Sequence, residues 1–206
     1  MLIPLDNLSR KYNLQVEGIL HVGGHWGEEA IMYNNLGYVP VYWIEAEKES
    51  ATILENHVAG LLNHHVINAV VSDSIGTVKF NHANNGQSSS MLEFGTHSAE
   101  HPDVVFESSS ERMAVTIDHL LDADLIGQTN FMNLDIQGAE LMALKGAVEY
   151  LHGVKYIYTE VNDKELYKGC CLTSDLDAWL GMRGFVRREK EMTPHGWGDA
   201  FYIKEA

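Results

Sequence analysis

Short apolar runs rich in β-branched and aromatic side chains recur along the chain, at 19–23 (ILHVG), 41–45 (VYWIE), 66–71 (VINAVV), 131–136 and 154–161. Between them lie longer segments with helical spacing of apolar positions, at 27–36, 47–58 and 138–151. Alternation of this kind predicts parallel strands joined by helices. In the last helix Leu141, Leu144, Val148 and Leu151 fall on one face, which is expected to be core. A further helix is predicted at 174–183. After it come GFVRREKEM and DAFYIK, separated by TPHGWG, which predict an antiparallel hairpin at one edge of the sheet. The polar stretch 82–110 lacks either period and is too long for a passive connector, so a lid or binding loop is expected there. Nothing divides residues 1–206, and a single α/β domain is predicted.

The composition supports one cored domain: 206 residues are 45% hydrophobic. Its charge narrows the partners. With 29 Asp and Glu against 14 Lys and Arg the formal net charge is −15, which disfavours nucleic acid and anionic membrane surfaces. The densest basic stretch, Arg187, Arg188 and Lys190, is interleaved with Glu189 and Glu191. Adjacent Cys170 and Cys171 offer no spaced metal or redox template. No charged leader or membrane-length apolar run is apparent, so a cytoplasmic, reduced protein is expected, with homo-oligomerisation left open. His64 and His65, and the run from Ser109 to Glu111, are expected to be solvated.

The stretch GILHVGGHWGEEA, residues 18–30, fills the first strand-to-helix turn, on the sheet edge where open α/β sheets bind ligands. Gly23, Gly24 and Gly27 match neither the nucleotide-triphosphate loop nor the dinucleotide fingerprint. Glu28 and Glu29 would repel a pyrophosphate at that helix start. The turn therefore suits a nucleoside without phosphates, such as S-adenosylmethionine. Glu45 ends the second strand about 20 residues on, where an acid can accept ribose hydroxyls. Asp135 in NLDIQGAE and Glu160 in YIYTEVN end two later strands and place two carboxylates on the same edge, the alternative for Asp135 being a helix cap. HSAEH, residues 97–101, formally matches an inverted zinc-protease pattern, but Pro102 disfavours a helix at His101 and no metal is expected. The serines of SSSM have no recognisable triad partners, and Ser89 and Ser90 with His97 are read instead as acceptor-binding candidates.

These separated motifs resemble, in order and over residues 17–203, the FkbM family of S-adenosylmethionine-dependent methyltransferases. LHVGGHWGEE is similar to that family's glycine loop, WIEAE to its ribose-binding segment, and VINAVVSDSIGTVKF to its third strand and following hairpin. GQSSSML, VTIDHLL, NLDIQGAELMALKGA, YTEVN and GDAFYIK continue the match. The resemblance implies a Rossmann-like class I methyltransferase fold with a seven-stranded, mostly parallel sheet in the order 3-2-1-4-5-7-6. It implies that Gly23, Gly24 and Gly27 pass the methionine moiety, that Glu45 and Ala46 meet the ribose, and that Asn68, Ala69 and Val70 flank the adenine. His21 and His25 stand where the family usually has Asp and Asn, so the ammonium loses a fixed anionic partner. The implied reaction moves a methyl group to a hydroxyl of a sugar or small natural product, with Asp135 as first candidate base and Glu160 as second; His21, His25 and His97 are further candidates. A dinucleotide-dependent oxidoreductase and a noncatalytic glycan- or metabolite-binding module are the alternatives.

Overall fold

A computed structural model describes residues 1–205. Its main sheet is built from β1 (Ile19–Val22), β2 (Val41–Glu45), β3 (His64–Asn68), β7 (Phe131–Leu134), β8 (Tyr156–Asn162), β9 (Phe185–Met192) and β10 (Trp197–Lys204). The spatial order is β3-β2-β1-β7-β8-β10-β9, the order the resemblance implied. All pairs are parallel except those of β10 with β8 and β9. β1 and β7 are buried along their whole length, as the continuous apolar runs require of central strands covered on both faces. Two cores cover those faces. One gathers Leu20, Val22, Met132, Leu134, Leu144 and Leu180, and the other Leu5, Ile19, Tyr33, Trp43, Leu54 and Phe131.

A second sheet, β4-β6-β5, holds β4 (Val70–Val71), β5 (Gly76–Ala83) and β6 (Phe106–Val115). It corrects two expectations. The run 66–71 is not one strand: the β2–β3 ladder ends at the Ala69 N–H to Glu45 carbonyl bond, the Asn68 amide caps the Glu45 and Ala46 carbonyls, and Val70 and Val71 pair with β6 instead. Segment 82–110 is likewise not loop throughout, since β5 and β6 take its two ends.

The helices α1 (Leu5–Tyr12), α2 (Ala30–Leu36), α3 (Lys48–Val58), α4 (His97–Glu100), α5 (Ile117–Asp122), α6 (Glu140–Lys145) and α7 (Thr173–Gly181) fill the connections. α2 starts three residues later than the pattern predicts, because His25 and Gly27 hold positive φ values of 42° and 79°, outside the helical region. α6 is shorter than 138–151: it stops at its C-cap Gly146, and a single 3-10 turn, Tyr150–His152, follows separately. That break turns Val148 out to 43% exposure, whereas Leu144 and Leu151 remain core. His64 is not simply solvated, since it accepts the Trp43 indole N–H at 3.1 Å. No helix is long and apolar enough to cross a membrane among the described residues.

Candidate active site

The carboxyl ends of β1, β2, β7 and β8 open onto one cavity of about 520 Å³. Its floor begins at the glycine turn. Gly23 holds φ 88°, and a Cβ there would lie 1.8 Å from the Asp135 carbonyl, so only glycine lets the first turn pass the end of β7. The turn is then tied to β2: both Gly23 N–H and Gly24 N–H donate to the Ile44 carbonyl. Glu45, 8% exposed, is fixed by two backbone donors, His25 N–H on Oε2 at 2.8 Å and Glu47 N–H on Oε1 at 2.7 Å. Burial raises its pKa, while those two N–H groups oppose the rise. Each oxygen keeps a lone pair for a further donor in the cavity. Beside it, Ala46, Ala69, Val70, Phe80 and Met91 form an apolar wall.

At the opposite end, Asp135 follows β7 immediately and Glu160 lies in β8. Asp135 is reached from the cavity although protein surrounds its other sides. Burial and the Asp199 carboxylate raise its pKa. Glu160, 7% exposed, rises further, first through burial and then through the Asp135, Glu140 and Asp199 carboxylates. Gln137 bridges Asp135 and Glu160: Nε2 donates to Asp135 Oδ1 at 2.7 Å and to Glu160 Oε2 at 3.2 Å. Its Oε1 accepts the Tyr167 hydroxyl at 2.8 Å, and its carbonyl accepts Ser90 Oγ at 2.9 Å. Asp135 is not a helix cap, because α6 begins five residues later.

The cavity brings together His21, Gly23, Gly24, His25, Glu45, Ala46, Ala69, Val70, Ser89, His97, Asp135 and Glu160. Three candidates lie outside it. The Gly27 position packs on Leu54 of α3, Asn68 spends its amide on backbone carbonyls, and Ser90 on Gln137. His21, 3% exposed, has Tyr33 Oη 3.2 Å from Nδ1 and the Asn133 amide 3.2 Å from Nε2. Burial lowers its pKa to about 3, so it is neutral and supplies no charge of either sign. Sequence reasoning missed Gln137, Tyr158, Tyr167 and Asp199, all of which line the cavity. Gln137 and Tyr167 carry no strand-end signal. Asp199 had one, since it begins the DAFYIK run and pairs in register with Glu160.

A family model described as "Methyltransferase FkbM domain" matches residues 21–188. The 2-O-methyltransferase NoeI of Sinorhizobium fredii (strain NBRC 101917 / NGR234) is 25% identical over 160 residues, covering 73% of this chain and 65% of that protein. The chain thus spans less than two thirds of that relative's length. Among solved structures, an S-adenosylmethionine-dependent methyltransferase from Aquifex aeolicus superposes with a TM-score of 0.54 at 12% identity, over 97% of this chain and 89% of that one. A putative caffeoyl-CoA O-methyltransferase from Staphylococcus aureus gives 0.56 at 13% identity, over 98% and 81%. At such identities these structures support the fold alone.

Proposed function

The chain belongs to the FkbM methyltransferase family, and from that premise we propose that it transfers a methyl group from S-adenosylmethionine to a hydroxyl of a small polyol or sugar. The observation that carries this reading is the pairing, across one cavity, of an immobilised acid at the end of β2 with two carboxyl groups bridged by Gln137, Asp135 just past β7 and Glu160 within β8. The residues present suit the methyl donor. Glu45 offers two aligned lone pairs to a ribose diol, and the Ala46, Val70 and Phe80 wall suits an adenine. Gly23 lets the backbone pass close to an amino acid moiety. Glu28 and Glu29 at the same turn reject a dinucleotide's pyrophosphate.

When bound, S-adenosylmethionine supplies an electrophilic methyl carbon attached to a sulfonium. The protein's own task is to strip the acceptor proton and align the oxygen. Asp135, reached from the cavity and with a raised pKa, is the base; Glu160, tied to it through Gln137 Nε2, keeps it oriented. A carboxylate of raised pKa is a better base near neutrality than an ordinary one and contributes about 10²- to 10⁴-fold. Gln137 fixes the spacing of the pair, and the serine loop, docked through Ser90 and Tyr167, walls the site against water.

Calorimetry with S-adenosylmethionine, S-adenosylhomocysteine and NAD tests the cofactor, and a mass-spectrometric screen for +14 dalton products from hydroxylated compounds tests the reaction. Binding of neither adenosyl species removes the reading. His21 favours one second reading, a binding module that keeps the fold and has lost transfer, because a neutral imidazole stands where the family usually places an anion. Adenosyl binding without any methylated product would favour that alternative.

A further inference from the structure

The acceptor end of the cavity has a charge pattern that the transfer reaction itself does not require. Asp199 in β10 lies directly across from Glu160 in β8, and Asp135 continues the β7 register beside Glu160, so three carboxyl groups stand in one row over three neighbouring strands. All three line the cavity. Like charges opposite one another on adjacent strands destabilise a sheet. The Gln137 amide, donating to both Asp135 and Glu160, relieves part of that repulsion, and the hydroxyl of Tyr158 with the Leu2 N–H, both on Asp199, relieves another part. The Met1 amino group lies at the cavity and acts on Asp135, but no Lys or Arg lines it among the described residues, so carboxyl groups outnumber cations there.

The facing wall supplies the second observation. His97, at the start of α4, is 4% exposed and lines the same cavity; its Nδ1 is fully enclosed, so the ring meets the cavity through its Nε2 edge, which no protein group hydrogen-bonds. Its ring is held in place by stacking on Phe94, with centroids 4.2 Å apart and planes 5° from parallel. Burial also keeps this imidazole neutral, with its pKa lowered to about 4, so it accepts or donates a hydrogen bond without adding positive charge. One wall thus offers acceptors and negative charge, and the other offers an uncharged hydrogen-bonding ring.

Resting on the methyltransferase reading, we propose that the acceptor is a polyhydroxylated compound without any anionic group, neutral or amino-substituted, gripped between the Asp135, Glu160 and Asp199 row and His97. Its hydroxyl or ammonium donors complete the carboxyl row, and one of its polar groups pairs with the imidazole. A phosphate or carboxylate on the same carbon frame meets excess negative charge in a site of low dielectric and is rejected, which is specificity by repulsion.

The experiment uses three probes of one shape, glucosamine, glucose and glucuronate, titrated by calorimetry into the full chain saturated with S-adenosylhomocysteine. Glucosamine and glucose are expected to bind at least about tenfold more tightly than glucuronate. Asp199→Asn, which removes one charge from the row, should shrink that gap to about threefold or less. His97→Phe keeps the stack on Phe94 and should weaken all three sugars about tenfold while leaving S-adenosylhomocysteine affinity unchanged. Should Asp199→Asn fail to fold, raising salt from about 20 to 200 mM in the wild type must narrow the same gap, since charge repulsion is screened. Glucuronate binding as tightly as glucose, or binding by none of the three, overturns the inference. Failure of S-adenosylhomocysteine itself to bind overturns the methyltransferase reading instead, so the two failures are distinguishable.

Discussion

Three carboxyl residues near the cavity have separable jobs, and single substitutions should expose them. Glu45 receives two backbone N–H bonds and points its remaining lone pairs at the cavity, so Glu45→Ala removes charge-assisted bonds worth about 1.5 to 3 kcal/mol and should weaken S-adenosylmethionine binding roughly 10- to 150-fold. Asp135→Asn keeps the shape but not the base. It should leave cofactor affinity within about threefold and cut single-turnover transfer by about 10² or more. Wild-type transfer by that variant would reassign the proton to Glu160 or a histidine. Because the Asp135 pKa is raised, transfer by the wild type should rise with pH through a range above that of an ordinary carboxylate, as a pH–rate profile would record. Glu140 makes a different contribution. It is 1% exposed, accepts Ile136 N–H and Gly138 N–H on one oxygen, and has a pKa pushed by burial from 4.5 up to about 7. A folded-state pKa above the unfolded value means that stability is full below about pH 4.5 and is lost as pH climbs to about 7. Glu140→Gln should therefore flatten the melting temperature between about pH 5 and 8, with a gain at pH 8 on the order of 1–3 kcal/mol. An unchanged pH dependence would place the titrating group elsewhere.

At the scale of elements, the segment between β5 and β6 couples the acceptor site to the rest of the fold. It is docked, not free: Gly95 N–H and His97 N–H donate to the Leu166 carbonyl, Thr96 N–H to the Glu165 carbonyl, and Lys168 N–H returns to the Glu93 carbonyl. Gly95 permits this, because a Cβ there would sit 2.2 Å from the Glu165 carbonyl. Gly95→Ala should pry the strap off, increase protease nicking within 84–105 several-fold and raise the acceptor KM, while S-adenosylmethionine affinity stays unchanged. Wild-type nicking and KM would show that the strap is decorative. The strap was legible in the sequence only as a long polar stretch. Its docking partners lie some seventy residues away, and no local period encodes such a pairing. The main sheet was legible for the opposite reason: buried parallel strands are continuous apolar runs, so β1, β2, β7 and β8 stand out, while their order across the sheet came from the family resemblance. The break at Ala69 was not legible, since the same apolar run continues into Val70 and Val71, which pair with the distant β6. Among the site residues, strand-end acids such as Glu45, Asp135 and Glu160 could be read from position, and Asp199 could have been. Gln137 could not, because its place depends on a positive φ of 57° and on the neighbouring Tyr167.

For the whole molecule, the net charge of −15 acts together with the way the few basic residues are used. The densest basic stretch, on β9, is neutralised side chain by side chain: Arg187 pairs with Asp177 at 3.3 Å, Arg188 with Glu205 at 2.8 Å and Lys190 with Asp163 at 2.6 Å. Binding a phosphate backbone would require these pairs to break, because the counterion release that drives such binding needs free Lys or Arg to replace the ions. The carboxyl row in the cavity repels the same backbone at the proposed site of transfer. Electrostatics at long and short range thus agree in steering polyanions away and cationic or neutral small molecules in. In gel-shift titrations with single-stranded RNA and duplex DNA at about 50 mM salt, the protein should show no complex up to about 10⁻⁴ M, the weak limit of ordinary nonspecific binding. A micromolar complex whose affinity falls steeply with added salt would require a basic surface that the paired arginines and lysines of β9 do not provide, and would reopen nucleic acid as an acceptor.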